Sequence, residues 1–107
     1  MQADRSVGIV GTSFYPGAWN LLKRLRSGNQ LRVVRQPTNK YDKNAIGVFW
    51  GSKQLGHVPR GLAAELAPVM DAGIEIKAMK ENGPVAVIKL YWDDGQPEKE
   101  IPNDPAA

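Results

Sequence analysis

The spacing of apolar and polar positions changes several times along this chain, and each change marks a separate element. Residues 6–14, SVGIVGTSF, are rich in β-branched and small residues and predict a first strand, with Gly8 and Gly11 marking a bend or a close backbone approach. Tyr15, Pro16 and Gly17 signal a turn. Ala18, Leu21, Leu22 and Leu25 then recur at helical spacing, predicting a short amphipathic helix that stops at Ser27 and Gly28. Lys23, Arg24 and Arg26 fall off its apolar stripe.

The second half of the pattern is mostly β. Residues 31–35, LRVVR, predict a strand, and residues 45–50 and 53–58 predict a hairpin turned at Gly51 and Ser52. Pro59 opens a second helix with Leu62, Leu66, Val69 and Met70 on one side and Gly73 as its stop. Pro68 predicts a kink or a fresh turn within it. Residues 74–79 alternate strictly, residues 81–84 turn, and residues 85–92, VAVIKLYW, form the most hydrophobic strand. From 93 to 107 the chain is rich in Pro and acids without periodicity, predicting a flexible acidic tail beyond a domain at 1–92. Six short strands and two short helices predict a mainly β, OB-like or SH3-like small barrel, closed or nearly so, because closure removes exposed edges.

Composition narrows the chemistry. At 107 residues, with 42% hydrophobic and 23% charged residues, the chain fits one folded domain. Without cysteine there are no disulfides or thiolate metal sites, and a single histidine excludes a multi-His metal centre. No apolar run is long enough to span a membrane and no signal-peptide core is visible, so an intracellular, cytoplasmic location is expected. Charge is uneven. Residues 1–60 carry ten Lys/Arg against Asp4 and Asp42, a net of +8, whereas residues 61–107 carry four Lys against nine Asp/Glu, a net of −5. A basic half fits a phosphate-binding surface, and it equally fits solvated strand edges and helix faces.

Catalysis finds little support in these residues. There is no phosphate-binding loop ending in Lys-Ser/Thr and no nucleophile elbow. Ser13, His57 and Asp42 are not fixed by any motif, and the basic half lacks the carboxylate cluster a metal-dependent nuclease needs. No cofactor is expected.

Residues 36–49, QPTNKYDKNAIGVF, hold the main candidate site. Pro37, Asn39, Tyr41, Asp42 and Asn44 make an ordered polar corner that runs directly into an apolar strand. Tyr41, between Lys40 and Asp42, is poorly placed for a core and well placed to stack on a base, as are Phe14 and Tyr15 at a strand end. For Phe14 core packing is the competing reading. Asp42 beside a basic surface would repel phosphate. It either caps the turn, pairs with Arg35, Lys40 or Lys43, or accepts a proton from a sugar hydroxyl. His57 reads as a half-buried strand histidine bonded to backbone, or as a phosphate contact beside Arg60, which starts a helix.

Three blocks in order, VGTSFYPG at 10–17, PTNKYDKNAI at 37–46 and QLGHVPRGL at 54–62, resemble the HIRAN domain. The likeness covers roughly residues 6–92. It implies an OB-like barrel that binds the 3′ end of single-stranded DNA through its free 3′-hydroxyl, in DNA repair or at replication forks. It implies roles for Phe14 and Tyr41 on terminal bases, Asp42 on the hydroxyl, and Asn39 on the terminal nucleotide. Tyr15 and Lys43 belong to the same implied surface, with His57 and Arg60 on the backbone phosphate. Ser13 and Phe14 stand where the family often carries Arg and Tyr, which removes a charged contact and a phenol while keeping a stacking face. Pro59 stands at a position that is often basic. Lacking a helicase motor, the chain is expected to serve a helicase or nuclease in trans. The competing expectation is a protein-interaction barrel holding a peptide or acidic segment in the same cleft. A further expectation is that the acidic tail folds over the basic cleft and competes with DNA.

Overall fold

The computed structural model of the chain describes residues 2–93, so the expectations for the acidic tail lie outside the described residues. Six strands and two helices follow one another as β1 (Gln2–Gly8), α1 (Ala18–Arg24), β2 (Gln30–Arg35), β3 (Ile46–Trp50), β4 (Lys53–His57), α2 (Arg60–Asp71), β5 (Lys77–Lys80) and β6 (Val87–Asp93). They form one antiparallel sheet in the order β1-β6-β5-β2-β3-β4. A single β-bridge, Val10 to His57, joins the chain leaving β1 to β4 at the opposite edge, with both N–H···O distances 2.9 Å. The sheet is therefore barrel-like but not closed: β1 and β4 share no ladder, and two hydrogen bonds at this one bridge bring its edges together.

Close approach at this seam requires Gly56. A Cβ there would lie 2.5 Å from both Ile9 Cγ2 and the Val10 carbonyl oxygen, distances no side chain tolerates. The β3–β4 ladder shifts register between Val48 and Phe49, pairing Val48 with Gly56 but Phe49 with Gln54. Such a bulge strengthens local twist and helps turn β4 toward Val10.

The core follows the apolar pattern. Leu22 of α1, Ile46 and Val48 of β3, Leu55 of β4, and Ile88 and Leu90 of β6 are fully enclosed, with Leu62, Ala63, Leu66 and Ala67 of α2 buried as well. β6 alternates buried Ile88, Leu90 and Trp92 with less buried neighbours, as a strand facing one core should.

Several elements differ from what the sequence predicts, α1 ending at Arg24 and β6 beginning at Val87 among them. β1 begins at Gln2 and ends at Gly8, because pairing with β6 from Gln2–Asp93 to Gly8–Val87 recruits a polar segment with no β pattern of its own. Thr12–Phe14 is not strand but a 3-10 turn, entered through Gly11 at φ 74°. α2 runs from Arg60 through Pro68 to Asp71 as one helix. β5 begins only at Lys77. It pairs with β2 solely through Gln30–Met79 and Leu31–Ala78. Beyond that point a groove opens, lined by Val33, Arg35, Ile74, Ile76 and Tyr91 among others, and none of the candidate site residues lines it. Among the described residues no helix is long and apolar enough to cross a membrane.

Candidate nucleic-acid interface

The polar corner after β2 is built by its own side chains. The Tyr41 and Asp42 N–H groups donate to Asn39 Oδ1 at 2.8 and 3.1 Å, and the Asn44 N–H donates to Asp42 Oδ1 at 2.9 Å. Asn and Asp thus act here as turn formers, satisfying backbone donors that no strand partner reaches. From beneath, Arg35 staples the loop. Its Nη1 donates to the carbonyls of Lys43 and Ala45 at 3.1 and 2.9 Å, while Nε lies 3.0 Å from Asp71 Oδ1 of α2. Arg35 is therefore occupied by structure and lends the surface little free charge.

α2 supplies the other wall. Arg60 Nη2 donates to the Tyr41 carbonyl at 3.1 Å, and its Nε stands 3.6 Å from Asp42 Oδ2. Asp42 fills both structural roles open to it, capping the turn with one oxygen and facing a cation with the other. Its ion-pair partner is Arg60, not Arg35, Lys40 or Lys43. At 3.6 Å that contact is longer than a hydrogen bond, so Oδ2 keeps acceptor capacity. Among the described residues no side chain caps α2 at Pro59, so its first N–H groups, which have no intrahelical partners, gain none from a cap.

His57 closes the back of the site at the end of β4. Its ring lies 5.9 Å from the Tyr15 ring, tilted by 55°, and its Nε2 stands 2.8 Å from Gln36 Oε1. The side chain thus bonds to a glutamine, not to backbone; backbone pairing with Val10 is made by its main chain. Burial lowers the His57 pKa from its usual value of 6.5, and the Asp42 carboxylate acts against that shift.

Two aromatic rings stand out in water. Phe14 is 82% exposed and Tyr41 78% exposed. The core-packing reading of Phe14 is excluded, because the 3-10 turn lifts it off the barrel while the next residue, Tyr15, packs against the core. Lys40 Nζ lies 5.5 Å from the Tyr41 ring centroid. Lys53 Nζ donates to the Pro16 carbonyl, tying the segment that follows Phe14 and Tyr15 to the β3–β4 hairpin.

Tyr15, His57, Asp42, Arg60, Tyr41 and Asn39 thus form a continuous chain of neighbours, with Phe14 attached through Tyr15. Among the described residues Lys43 enters this network only through its carbonyl. The sequence reading missed Gln36, Gln54 and Gly47. Gln36 Nε2 donates to Gln54 Oε1 at 3.2 Å, and a Cβ on Gly47 would come within 2.8 Å of both glutamine amide nitrogens. Their signal was faint: one glutamine just after β2, another within β4, and a glycine inside an apolar strand where a close approach is the usual reason.

Comparison with known proteins finds relatives of this chain. Over 64 residues the chain is 38% identical to the helicase-like transcription factor of Mus musculus, covering 59% of this chain and 6% of that protein. The chain therefore corresponds to a small part of the curated relatives it matches. The crystal structure of the HIRAN domain of human HLTF superposes with a TM-score of 0.66 at 28% identity, covering 84% of this chain and 73% of that one. The NMR structure of the same domain in its DNA-bound conformation gives 0.56 at 28% identity, covering 83% and 71%. The HIRAN domain family model matches residues 4–92, most of the chain and every candidate site residue, and this protein belongs to the HIRAN domain family.

Proposed function

We propose that this chain is a non-enzymatic module that binds the 3′ end of single-stranded DNA and reads its free 3′-hydroxyl. One observation carries the reading: two exposed aromatic rings, Phe14 and Tyr41, stand on the same run of neighbouring residues as a carboxylate whose Oδ2 keeps acceptor capacity beside the cation Arg60. Rings of this kind stack on bases at about 1–3 kcal/mol each without demanding a sequence. Arg60 and the uncapped start of α2 suit a backbone phosphate. Asp42 suits a hydroxyl, since a carboxylate accepts a proton-bearing group and repels a terminal phosphate. Asn39 shapes the loop that holds Tyr41 and Asp42, and Lys43 adds long-range charge. The DNA-bound conformation solved for the HLTF domain supports DNA as the ligand class. On this reading residues 1–92 are the binding domain, working inside the cell in DNA repair or fork processing and delivering a helicase or nuclease to DNA ends.

Fluorescence anisotropy of a short single strand ending in 3′-hydroxyl or 3′-phosphate tests this, with wild type and Asp42→Ala. The expected result is a preference for the hydroxyl of about tenfold, on the scale of one charge-assisted hydrogen bond, that disappears in the variant. Equal binding of both strands by the wild type overturns end recognition, and no binding overturns DNA as the ligand.

A further inference from the structure

The hydrogen bonds beneath His57 run in one direction. Gln54 Nε2 lies 3.1 Å from the Gly56 carbonyl oxygen, which can only accept. That contact fixes the Gln54 amide with its nitrogen toward Gly56 and its Oε1 toward Gln36, whose Nε2 donates at 3.2 Å. Gln36 Oε1 is then left facing His57 Nε2 at 2.8 Å, and an oxygen that only accepts requires a proton on Nε2. The Gln54 Nε2–His57 Nε2 approach, at 3.3 Å, joins two donors and is a contact of packing rather than a hydrogen bond. A backbone carbonyl thus sets the state of the imidazole through two glutamines. Gly47 makes room for them, since a Cβ there would meet Gln36 Nε2, Gln54 Nε2 and Phe49 Cε1 at 2.8, 2.8 and 2.9 Å.

We infer that Gln36 and Gln54 are positioning residues that hold His57 as its Nε2–H tautomer, so that Nδ1 meets DNA as a hydrogen-bond acceptor. The inference rests on the proposed DNA-end reading and changes one role within it. The family resemblance implies His57 on a backbone phosphate, yet a neutral ring anchored through Nε2–H has no proton on Nδ1 to give a phosphate oxygen. Among the described residues Nδ1 makes no hydrogen bond. Asp42 lies near enough to act on the His57 charge, and a DNA group that satisfies both the carboxylate and Nδ1 is a donor: a sugar hydroxyl or the amino or imino group of a base. A 3′-phosphate dianion satisfies neither. Discrimination by such pairs comes mainly from the unpaired groups the wrong ligand leaves behind.

The chain has a single histidine, so a long-range proton–nitrogen correlation spectrum of 15N-labelled protein at pH 8 reports this ring alone. The expected spectrum shows Nε2 protonated and Nδ1 bare, both free and saturated with a 3′-hydroxyl single strand. A proton on Nδ1 in the free protein, or an imidazolium in the complex, overturns the inference. The free-protein spectrum stands even if DNA fails to bind, which separates this test from that of the DNA-end reading. In anisotropy at pH 8, Gln36→Leu is expected to lower the 3′-hydroxyl over 3′-phosphate preference about fivefold, the worth of one net hydrogen bond. Gln54→Leu is expected to do the same and replaces Gln36→Leu if that variant does not fold. Equal weakening of both DNAs would mark a merely structural role and overturn the inference.

Discussion

Phe14 and Tyr41 are about equally exposed, but the protein holds them by different means. Tyr41 sits in a loop fixed by polar side chains from three separate segments: Asn39 from within, Arg35 from β2, and Arg60 from α2. Phe14 sits on a 3-10 turn made of backbone alone, with its N–H donating to the Gly11 carbonyl at 3.0 Å and that of Tyr15 to Thr12 at 3.0 Å. Core-packed Tyr15 anchors that turn through the covalent chain. Polar support from distant elements can hold a ring close to one geometry, whereas a local turn sets height and leaves direction to the rotamer. Tyr41 therefore resembles a positioned reader, and Phe14 an adaptable stacking face.

The largest expected effect removes what the two regions share. Gly56→Ala places a methyl against Ile9 and the Val10 carbonyl at the seam that joins the Phe14 segment to β4. Loss of about 3 kcal/mol is expected in urea unfolding, at the upper end of overpacking costs, with DNA binding impaired through both rings. A change below about 1 kcal/mol would show that the single bridge is dispensable.

Arg35→Met separates the regions. The Arg35 side chain is only 15% exposed and serves one carboxylate and two carbonyls. Its removal is expected to cost about 2 kcal/mol of stability, the scale of hydrogen bonds to charged groups. DNA affinity should fall through Tyr41 while the effect of Phe14→Ala stays the same. A double-mutant cycle reads this directly: Arg35→Met should couple to Tyr41→Ala and add independently to Phe14→Ala.

Truncating the rings themselves sharpens the comparison. Tyr41→Ala and Phe14→Ala should each weaken single-stranded DNA binding by about 1–3 kcal/mol in anisotropy. Both should leave the melting temperature close to wild type, because neither ring is buried. Equal losses from the two would argue that preorganisation of Tyr41 adds nothing.

Acidification has the smallest effect. The folded pKa of His57 lies below 6.5, so above 6.5 the ring is neutral in both folded and unfolded chains and stability is complete. As pH falls through 6.5 the unfolded chain takes up the proton first, and stability declines until pH passes below the folded value. Melting between pH 7.5 and 5.5 should show this decline, and His57→Gln should flatten it.

Much of the barrel was legible because burial and periodicity coincide. The β3–β4 hairpin, the Ala18–Leu22 stripe of α1 and the hydrophobic strand β6 stand close to where the pattern puts them. β1 was misplaced because residues 2–5, QADR, carry no β pattern and become strand only through their partner β6. Residues 9–14 suggested a strand by composition, yet Gly11 in the left-handed region ends extension and starts the turn that exposes Phe14. The loop that holds Asn39, Tyr41 and Asp42 was legible for a different reason: its hydrogen bonds link residues two or three positions apart, within reach of sequence reasoning.

By itself the sequence determined where the chain turns, which faces are apolar, and which side chains are too polar or too exposed to be core. Those properties depend on a residue and its near neighbours. Tertiary structure alone decided that Asp42 meets Arg60 rather than a nearby lysine, and that Arg35 is spent on Asp71 and two carbonyls. It also decided that Gln36, Gln54 and His57 share one line of hydrogen bonds over Gly47. Each of those partnerships spans different elements. The geometry of a hydrogen bond is set to a few tenths of an ångström, and only the folded, barrel-like sheet brings such distant groups that close.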